Sequence, residues 1–387
     1  MLGSSHAELP LVDAALRLGC HVATVSSGTP GLAATRSQQH YKIDYSNAVL
    51  IEKPFREDKF SSLVAGCNDF AAFTASQISE SLHLKRFDSL WQTREIHLKD
   101  RFRILCSRLM IPTPQFLVTG ADGKFLIDQF ENLVFPVIVK PVDLTGGKGI
   151  RVCETPAQVS TAVQNALSGS RSKRIIVEEL IQGQLRSASF FLNKGRPILL
   201  THAKEYLKRD SYLVESALVT SERNSSRIHR LTKYVEEICR DLRLQDGLLH
   251  TQFISNEKND YLVEACRRPP GDLYLLLPLQ LQGHGMADLV VRHALGESVA
   301  FGVEQPEPTP TLRLCLMAPR NGYIRNWGLN PLSDVTVVES FELRYRETAI
   351  VDYRREKLGI VFLVGDESSL DAIADSPELL LHVDYLD

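Results

Sequence analysis

The sequence predicts an α/β (α+β) protein of more than one domain, and three observations carry this prediction. The chain has 387 residues, which corresponds to roughly two to four domains of ordinary size. About 95 residues at the start alternate helix-like and strand-like patterns, as in a parallel, doubly wound α/β unit. Further along, short apolar strands flank a glycine-rich stretch and are followed by two strands that are typical of a hairpin.

The first region opens with an amphipathic helix over Leu9–Leu18, and His21–Ser26 follows as a strand. Ala48–Ile51 is short and apolar, and we predict a second strand there. Phe70–Leu84 carries apolar residues at helical spacing, which predicts another helix.

A second region begins near His97 with a helix over Asp100–Leu109, which the prolines of Ile111–Pro114 end. Short strands and helices follow it on both sides of the glycine-rich stretch Thr145–Ile150. We predict them over Gln115–Thr119, Phe135–Lys140, Pro156–Leu167, Arg174–Glu179, Ser187–Leu192, Ile228–Leu242, Leu248–Ser255 and Asp260–Ala265. The proline-rich segment Gln305–Pro310 is the clearest linker, and short strands with one helix follow it.

Charge and cysteine usage exclude several classes of protein. The formal net charge is −3, so no basic excess favours a nucleic-acid partner. Seven cysteines are scattered and never spaced as CxxC, which favours reduced thiols in a cytoplasmic protein over disulfides or structural zinc. No apolar run approaches the ~18–20 residues of a membrane span, so no membrane partner is expected. The apolar stretch Leu273–Leu281 leaves room for a homodimer interface.

The densest chemical signal is a buried apolar strand that ends in Lys140 and leads into a glycine-rich loop. Gly146, Gly147 and Gly149 allow backbone N–H groups to wrap around phosphates, and Lys148 adds a second charge. The alternative is an ordinary surface turn with a solvated lysine.

Three later features favour the phosphate-binding interpretation. Glu178, Glu179 and Leu180 form a strand that enters a glycine turn, and its backbone could pair with an adenine edge. Gln252 and Glu264 lie on the two adjacent strands, where opposed side chains can share one ion. Arg268 lies in a loop four residues after Glu264, where its guanidinium group could hold a carboxylate or phosphate.

In this order, the motifs resemble the ATP-grasp superfamily of carboxylate ligases, and the resemblance covers essentially the whole chain. It implies an ATP-grasp domain over residues 97–304, with a flexible lid at roughly 130–195. A Rossmann-like domain over residues 1–96 would precede it, and a small C-terminal α/β domain over residues 305–387 would follow. It also implies ATP and Mg²⁺ as cofactors, and a small-molecule carboxylate and an amine as substrates.

The resemblance also gives roles to individual residues. Lys140 matches the lysine that contacts the α- or β-phosphate. The phosphate-covering loop corresponds to Gly146, Gly147 and Gly149 with Lys148. The adenine-binding hinge corresponds to Glu178, Glu179 and Leu180. Glu264 matches the metal-bridging glutamate. Arg268 matches the arginine that orients the acyl phosphate, and Arg101 stands where an ATP-contacting lysine is usual.

Several positions depart from the family pattern. Gln252 replaces an acidic metal ligand, Cys266 replaces an asparagine, and Leu185 replaces an acidic ribose contact. Asp272 is a candidate for the missing charge at the metal. These departures leave a second hypothesis open, in which a catalytically degenerate scaffold keeps a nucleotide-binding or protein-binding role.

Overall fold

The computed structural model describes residues 1–119, 133–207, 212–220, 225–278, 284–299, 301, 308–332, 334–345 and 347–386. Four β-sheets organise these residues: a parallel pair near the N-terminus, a four-stranded sheet, an eight-stranded sheet and a three-stranded sheet. The four-stranded and eight-stranded sheets matter most for function, because a cavity lies between them.

The N-terminal region contains two short parallel strands and six helices. Their bounds are α1 (Leu9–Arg17), β1 (Ala23–Ser26), α2 (Leu32–Arg36), β2 (Gln39–Lys42), α3 (Ala48–Glu57), α4 (Asp69–Leu82), α5 (Leu90–His97) and α6 (Lys99–Arg108). Leu2 bridges both Val25 of β1 and Ala65, which adds backbone pairing to the edge of this small sheet.

The prediction of a strand over Ala48–Ile51 is wrong, because these residues form the first turn of α3. Ile51 and Phe55 are the buried residues of this helix, and they lie four positions apart on one face. A four-residue apolar run cannot distinguish a strand from a buried helix face, and the spacing to Phe55 decides between them.

The four-stranded sheet is antiparallel, with strand order β3-β6-β4-β5, and one helix covers it. Its elements are β3 (Phe116–Val118), β4 (Val137–Pro141), β5 (Arg151–Cys153), α7 (Pro156–Gly169) and β6 (Ile175–Glu179). Val159 and Val163 of α7 pack against Val137 and Val139 of β4 in a small core of its own. This sheet ends at Glu179, so the segment predicted as the flexible lid is divided between two sheets.

The eight-stranded sheet has the order β11-β10-β7-β8-β9-β12-β16-β14, and two helices belong to the same stretch of chain. The elements before the proline-rich segment are β7 (Gln184–Asn193), β8 (Arg196–Leu207), β9 (Val214–Val219), α8 (Ser226–Leu242), β10 (Gly247–Ser255), β11 (Asp260–Cys266) and α9 (Met286–Leu295). The leucines at 273, 275 and 277 are buried in the core, so this part of the predicted dimer surface is not exposed.

The C-terminal region completes the large sheet. Its elements are β12 (Thr311–Met317), β13 (Gly322–Leu329), β14 (Val335–Glu342), β15 (Thr348–Ile350), β16 (Lys357–Gly365), α10 (Glu367–Asp375) and β17 (Leu381–Tyr385). Strand β12 pairs with β9 and β16, so the sheet continues from the central region into the last part of the chain. The predicted boundary at 304–305 falls at residues outside the described part.

The two faces of the large sheet differ. On one face, Phe190, Leu192 and Phe253 pack against helices α6 and α8. On the other face, Phe191 and Leu248 are apolar and join the core with α1 and α9. Along the same strands this second face turns polar, and that change marks the floor of the cavity.

No described helix is long and apolar enough to cross a membrane.

Candidate active site

A cavity of about 380 Å³ lies between the four-stranded and eight-stranded sheets. Most of the residues predicted for the site line it: Lys140, Gly146, Gly147, Glu178, Glu179, Leu180, Gln252, Glu264, Arg268 and Asp272. The remaining three, Arg101, Lys148 and Gly149, are not among its lining residues. One cavity therefore brings together motifs that are far apart in sequence.

The floor of the cavity is a row of polar side chains across the large sheet. Strand pairing places Glu264 of β11 opposite Gln252 of β10, and Gln252 opposite Ser187 of β7. His250, two residues before Gln252, lies opposite Ser189, and their side chains are 2.9 Å apart. Because side chains alternate between faces along a strand, this register alone collects the polar groups on one face.

The roof of the cavity carries a buried charge cluster. Lys140 Nζ lies 2.6 Å from Glu178 Oε2, and Arg103 Nε lies 2.6 Å from Glu178 Oε1. Burial raises the pKa of Glu178, but Arg103 and Lys140 lower it more, so this carboxyl titrates below its usual range. Glu178 therefore positions Lys140 at the cavity, and its own side chain is fully enclosed.

The glycine-rich loop follows Lys140 and closes one side of the cavity. Gly146 and Gly147 have φ values of +63° and +70°, which L-residues with a side chain rarely adopt. A Cβ at Gly147 would also lie 2.9 Å from the backbone carbon of Tyr212, so the close approach requires glycine. Lys148 is exposed and is not among the lining residues of the cavity, so its predicted phosphate contact stays a prediction.

Lys99, a lysine that was not predicted for the site, projects into the cavity. Its ammonium donates a hydrogen bond to the Leu144 carbonyl at 2.8 Å and lies 3.9 Å from Glu264 Oε1. Arg101, the predicted contact, instead pairs with Glu95 at 2.6 Å. Two residues along an α-helix correspond to about 200°, so Lys99 and Arg101 point in nearly opposite directions.

Glu264 is the carboxylate best placed for a cation. It lines the cavity, its side chain is 29% exposed, and Lys99 is its nearest described cationic neighbour. Beside it, Gln252 Nε2 donates a hydrogen bond to Glu205 Oε2 at 2.5 Å. Glu205 is a second carboxylate of the floor, and it belongs to none of the motifs that predicted the site.

Arg268 is held in place by the N-terminal region. Its Nε donates to Asp69 Oδ1 at 2.8 Å, and the same oxygen lies 3.0 Å from Nδ1 of His97. Burial raises the pKa of Asp69, but Arg268 and His97 lower it more, so the carboxyl stays ionised. Arg267, by contrast, points away and pairs with Asp88 at 2.5 Å.

Asp272 lines the cavity but is already paired. Its carboxylate lies 2.6 Å from Lys357 Nζ on β16 and 3.3 Å from His6 Nε2. Its backbone φ is +52°, a left-handed conformation that is uncommon for a residue with a side chain. These contacts give Asp272 a structural role that joins three parts of the chain, so the idea that it supplies charge at a metal gains no support.

Two buried groups of the floor are neutral near pH 7. Burial raises the pKa of the Cys266 thiol to about 11 and, with Arg268, lowers the pKa of His250 to about 3. A neutral thiol is a poor ligand for a hard cation and a poor nucleophile. Leu185 also lines the cavity and presents an apolar side chain to it.

The comparisons agree with this geometry. Residues 133–274 match the family model of the ATP-grasp domain. They contain Lys140 and Glu178 of the roof, the glycine-rich loop and the polar row of the floor. Residues 133–274 therefore form an ATP-grasp domain, and the resemblance predicted from the motifs is confirmed.

The chain is similar to individual relatives over only part of its length. The chain is 30% identical over 190 residues to a formate-dependent phosphoribosylglycinamide formyltransferase from Prochlorococcus marinus, a match that covers 48% of this chain and 47% of that protein. It is 26% identical over 242 residues to the carbamoyl phosphate synthase large chain of Thermoanaerobacter pseudethanolicus, covering 59% of this chain and 22% of that one. The chain thus spans about half or less of the length of these two curated relatives.

Solved structures share the fold over the whole chain. The L-amino acid ligase from Bacillus licheniformis superposes with a TM-score of 0.83, at 16% identity, over 100% of this chain and 98% of its own. The phosphoribosylglycinamide synthetase from Anaerococcus prevotii gives 0.77 at 16% identity, with the same coverage. The predicted α/β fold class is therefore confirmed.

The superfamily implies a magnesium ion, and the cavity offers a limited set of donors for it. Glu264 supplies one carboxylate and Gln252 one amide oxygen, whereas Cys266 is unsuitable and Asp272 is paired elsewhere. The described residues contain no group of three or more His, Cys, Asp or Glu side chains suited to hold a metal. This donor set fits an ion that takes its other ligands from nucleotide phosphates and water, as Mg²⁺ commonly does.

Proposed function

We propose that this chain is an ATP-dependent ligase that joins a small-molecule carboxylic acid to an amine. In the first step, an oxygen of the substrate carboxylate attacks the γ-phosphorus of ATP, which gives an acyl phosphate and ADP. In the second, the amine nitrogen attacks the acyl carbon, phosphate leaves, and the nitrogen loses a proton as the amide forms. The ligase names of superfamily members with the same fold support this reaction class.

The observation that carries the proposal is the distribution of charge around one cavity. Lys140 and Lys99 provide two cations beside the glycine-rich loop, where the negative charge of a triphosphate would lie. Glu264 and Gln252 would hold Mg²⁺, which neutralises charge on the transferred phosphoryl group when bound. Arg268, oriented by Asp69, offers a fork to a carboxylate or acyl phosphate.

The roof also offers apolar surface to an adenine base. Leu180 N donates to the Pro136 carbonyl at 3.0 Å, and Glu179 N donates to the Gln115 carbonyl at 3.0 Å. Both N–H groups are therefore occupied within the protein, so the predicted pairing of this backbone with an adenine edge does not come from them. A fixed backbone edge next to apolar Ile138 and Leu185 suits a flat, apolar base.

Calorimetric titration of ATP, with and without Mg²⁺, tests the proposal directly. We expect micromolar binding that strengthens with Mg²⁺, because Glu264 and Gln252 add ligands only when the ion is present. Glu264→Ala should lose at least ~10-fold of the magnesium-dependent affinity, since it removes the carboxylate that we assign to the metal. Binding that is indifferent to both Mg²⁺ and Glu264 would contradict the ligase proposal.

That outcome would favour a second function, a nucleotide-binding or protein-binding scaffold without catalysis. Gln252 and Cys266 favour this alternative, because Gln252 replaces an acidic metal ligand of the family and Cys266 replaces an asparagine with a thiol. Under it, no pair of acid and amine would release ADP. Mass analysis of the products separates both functions from simple phosphorylation of a substrate.

Lys99 and Arg101 form a matched pair for testing the phosphate contacts. Lys99→Met should weaken ATP binding about 10-fold or more, because it removes a charge held 2.8 Å from the glycine-rich segment at Leu144. Arg101→Met removes the same charge from the same helix but outside the cavity, and its effect should stay within about twofold. Calorimetry of both variants measures the difference, and a larger loss in Arg101→Met would restore the original prediction.

We also propose a cytoplasmic location. All seven cysteines are free thiols in the structure, which suits a reducing compartment.

A further inference from the structure

A buried carboxylate that the proposed reaction does not use lies next to Gln252. Glu205 is 4% exposed and belongs to β8, whereas Gln252 belongs to β10, two strands away. Ser187 on the intervening strand β7 pairs with Gln252 and carries a short side chain. The two longer side chains therefore meet over it, with Gln252 Nε2 at 2.5 Å from Glu205 Oε2.

This hydrogen bond determines how the Gln252 amide is oriented. A carboxylate can only accept hydrogen bonds, so the amide must face Glu205 with its NH₂ group. The amide oxygen is then directed to the opposite side, toward β11. Glu264 lies directly across from Gln252 on that strand, at the distance where paired side chains touch.

We propose that Glu205 is a positioning residue for the divalent cation of the site. It fixes Gln252 with its oxygen beside the Glu264 carboxylate, so that one neutral and one anionic oxygen face the same point. A carboxylate behind the amide also polarises it, which makes the amide oxygen a better acceptor. The inference rests on the proposed function, because it assumes a nucleotide-bound Mg²⁺.

The first test replaces the carboxylate by its isosteric amide. An amide can present either an oxygen or an NH₂ group, so Glu205→Gln no longer dictates the orientation of Gln252. Calorimetry with ADP should show unchanged binding without Mg²⁺ and about 10-fold weaker binding with it. Proton relaxation of water around Mn²⁺·ADP gives a readout besides activity. We expect a smaller relaxation enhancement with Glu205→Gln than with the unmodified protein.

A charge swap supplies the sharper test. Gln252→Glu alone places two carboxylates against each other and should also weaken binding of Mg²⁺·ADP, or unfold the floor. Combined with Glu205→Gln, it should restore binding, because the introduced amide donates to the introduced carboxylate across the same gap. A carboxylate at position 252 can also bind the cation directly, so failure of the double variant to restore binding would overturn the proposal, and Glu205→Gln alone tests the positioning role. Thermal unfolding of Glu205→Gln is measured beside the calorimetry, so that a loss of magnesium-dependent binding in a stably folded variant is assigned to the site and not to unfolding.

Glu257→Gln serves as the control for net charge, since this glutamate is exposed in the turn between β10 and β11. It should leave Mg²⁺·ADP binding unchanged. If the unmodified protein shows no effect of Mg²⁺, the proposed function itself is wrong. If Mg²⁺ strengthens binding equally in the unmodified protein and in Glu205→Gln, the proposed function stands and the positioning role of Glu205 is overturned.

Discussion

Replacing Lys140 by Met should reduce the rate of ADP release at least ~100-fold, a loss of about 2.7 kcal/mol in transition-state stabilisation. The ammonium lies at the cavity with only 15% of its side chain exposed, and Glu178 holds it 2.6 Å away. A cation fixed in this way acts on phosphate charge with little reorganisation. Single-turnover measurement of ADP, with an acid and amine that the unmodified protein accepts, gives the rate.

Lys148→Met is the matched control, because this lysine lies in the same loop region but is exposed and does not line the cavity. Its rate should stay within about twofold of the unmodified protein. Thermal unfolding of both variants checks that the fold is retained, since Glu178 keeps its pair with Arg103 when Lys140 is removed. Equal losses in the two variants would argue against a specific role for Lys140.

Replacing Arg103 by Leu should lower the free energy of unfolding by about 3–5 kcal/mol. Arg103 is completely buried, pairs with the equally buried Glu178, and donates from Nη2 to the Val263 carbonyl at 2.8 Å. Its removal leaves a buried carboxylate with Lys140 as its only described ion-pair partner. Urea denaturation followed by tryptophan fluorescence measures the change.

Helix α6 offers its own control. Arg108 also forms an arginine–carboxylate pair, with Asp241, but its side chain is 56% exposed. Arg108→Leu should therefore leave the free energy of unfolding close to that of the unmodified protein, because the pair is exposed to solvent. The double variant Arg103→Leu with Glu178→Leu should recover much of the loss, because it removes the uncompensated charge. If the double variant is as unstable as Arg103→Leu, lost packing and not the buried charge is the cause.

Local motifs explain why much of the site was predictable. Lys140, Gly146 and Gly147 follow one another along a strand and loop, so their chemistry is visible in a short stretch of sequence. Glu264 and Arg268 lie on a predictable hairpin and the loop after it. Patterns of this kind can be recognised in the sequence without knowledge of the tertiary structure.

The residues that were missed depend on longer-range geometry. Lys99 and Arg101 differ by two positions, and only the phase of helix α6 decides which one enters the cavity. Glu205 meets Gln252 through the register of three strands, at a separation of 47 positions in sequence. Asp69 orients Arg268 from 199 residues away, and its own neighbours in the sequence contain no sign of that contact.

The position of Asp272 has a consequence for the order in which the site is completed during synthesis of the chain. Its carboxylate contacts His6 of the N-terminal region and Lys357 of β16, and Arg313 of β12 donates to its carbonyl at 3.4 Å. A ribosome delivers these partners in order, and Lys357 arrives last. A nascent chain that ends after β11 therefore still lacks Arg313, which lines the cavity, and Lys357, which pairs with Asp272. The cavity therefore has its full set of lining residues only after β12 has been synthesised, and Asp272 has its lysine partner only after β16.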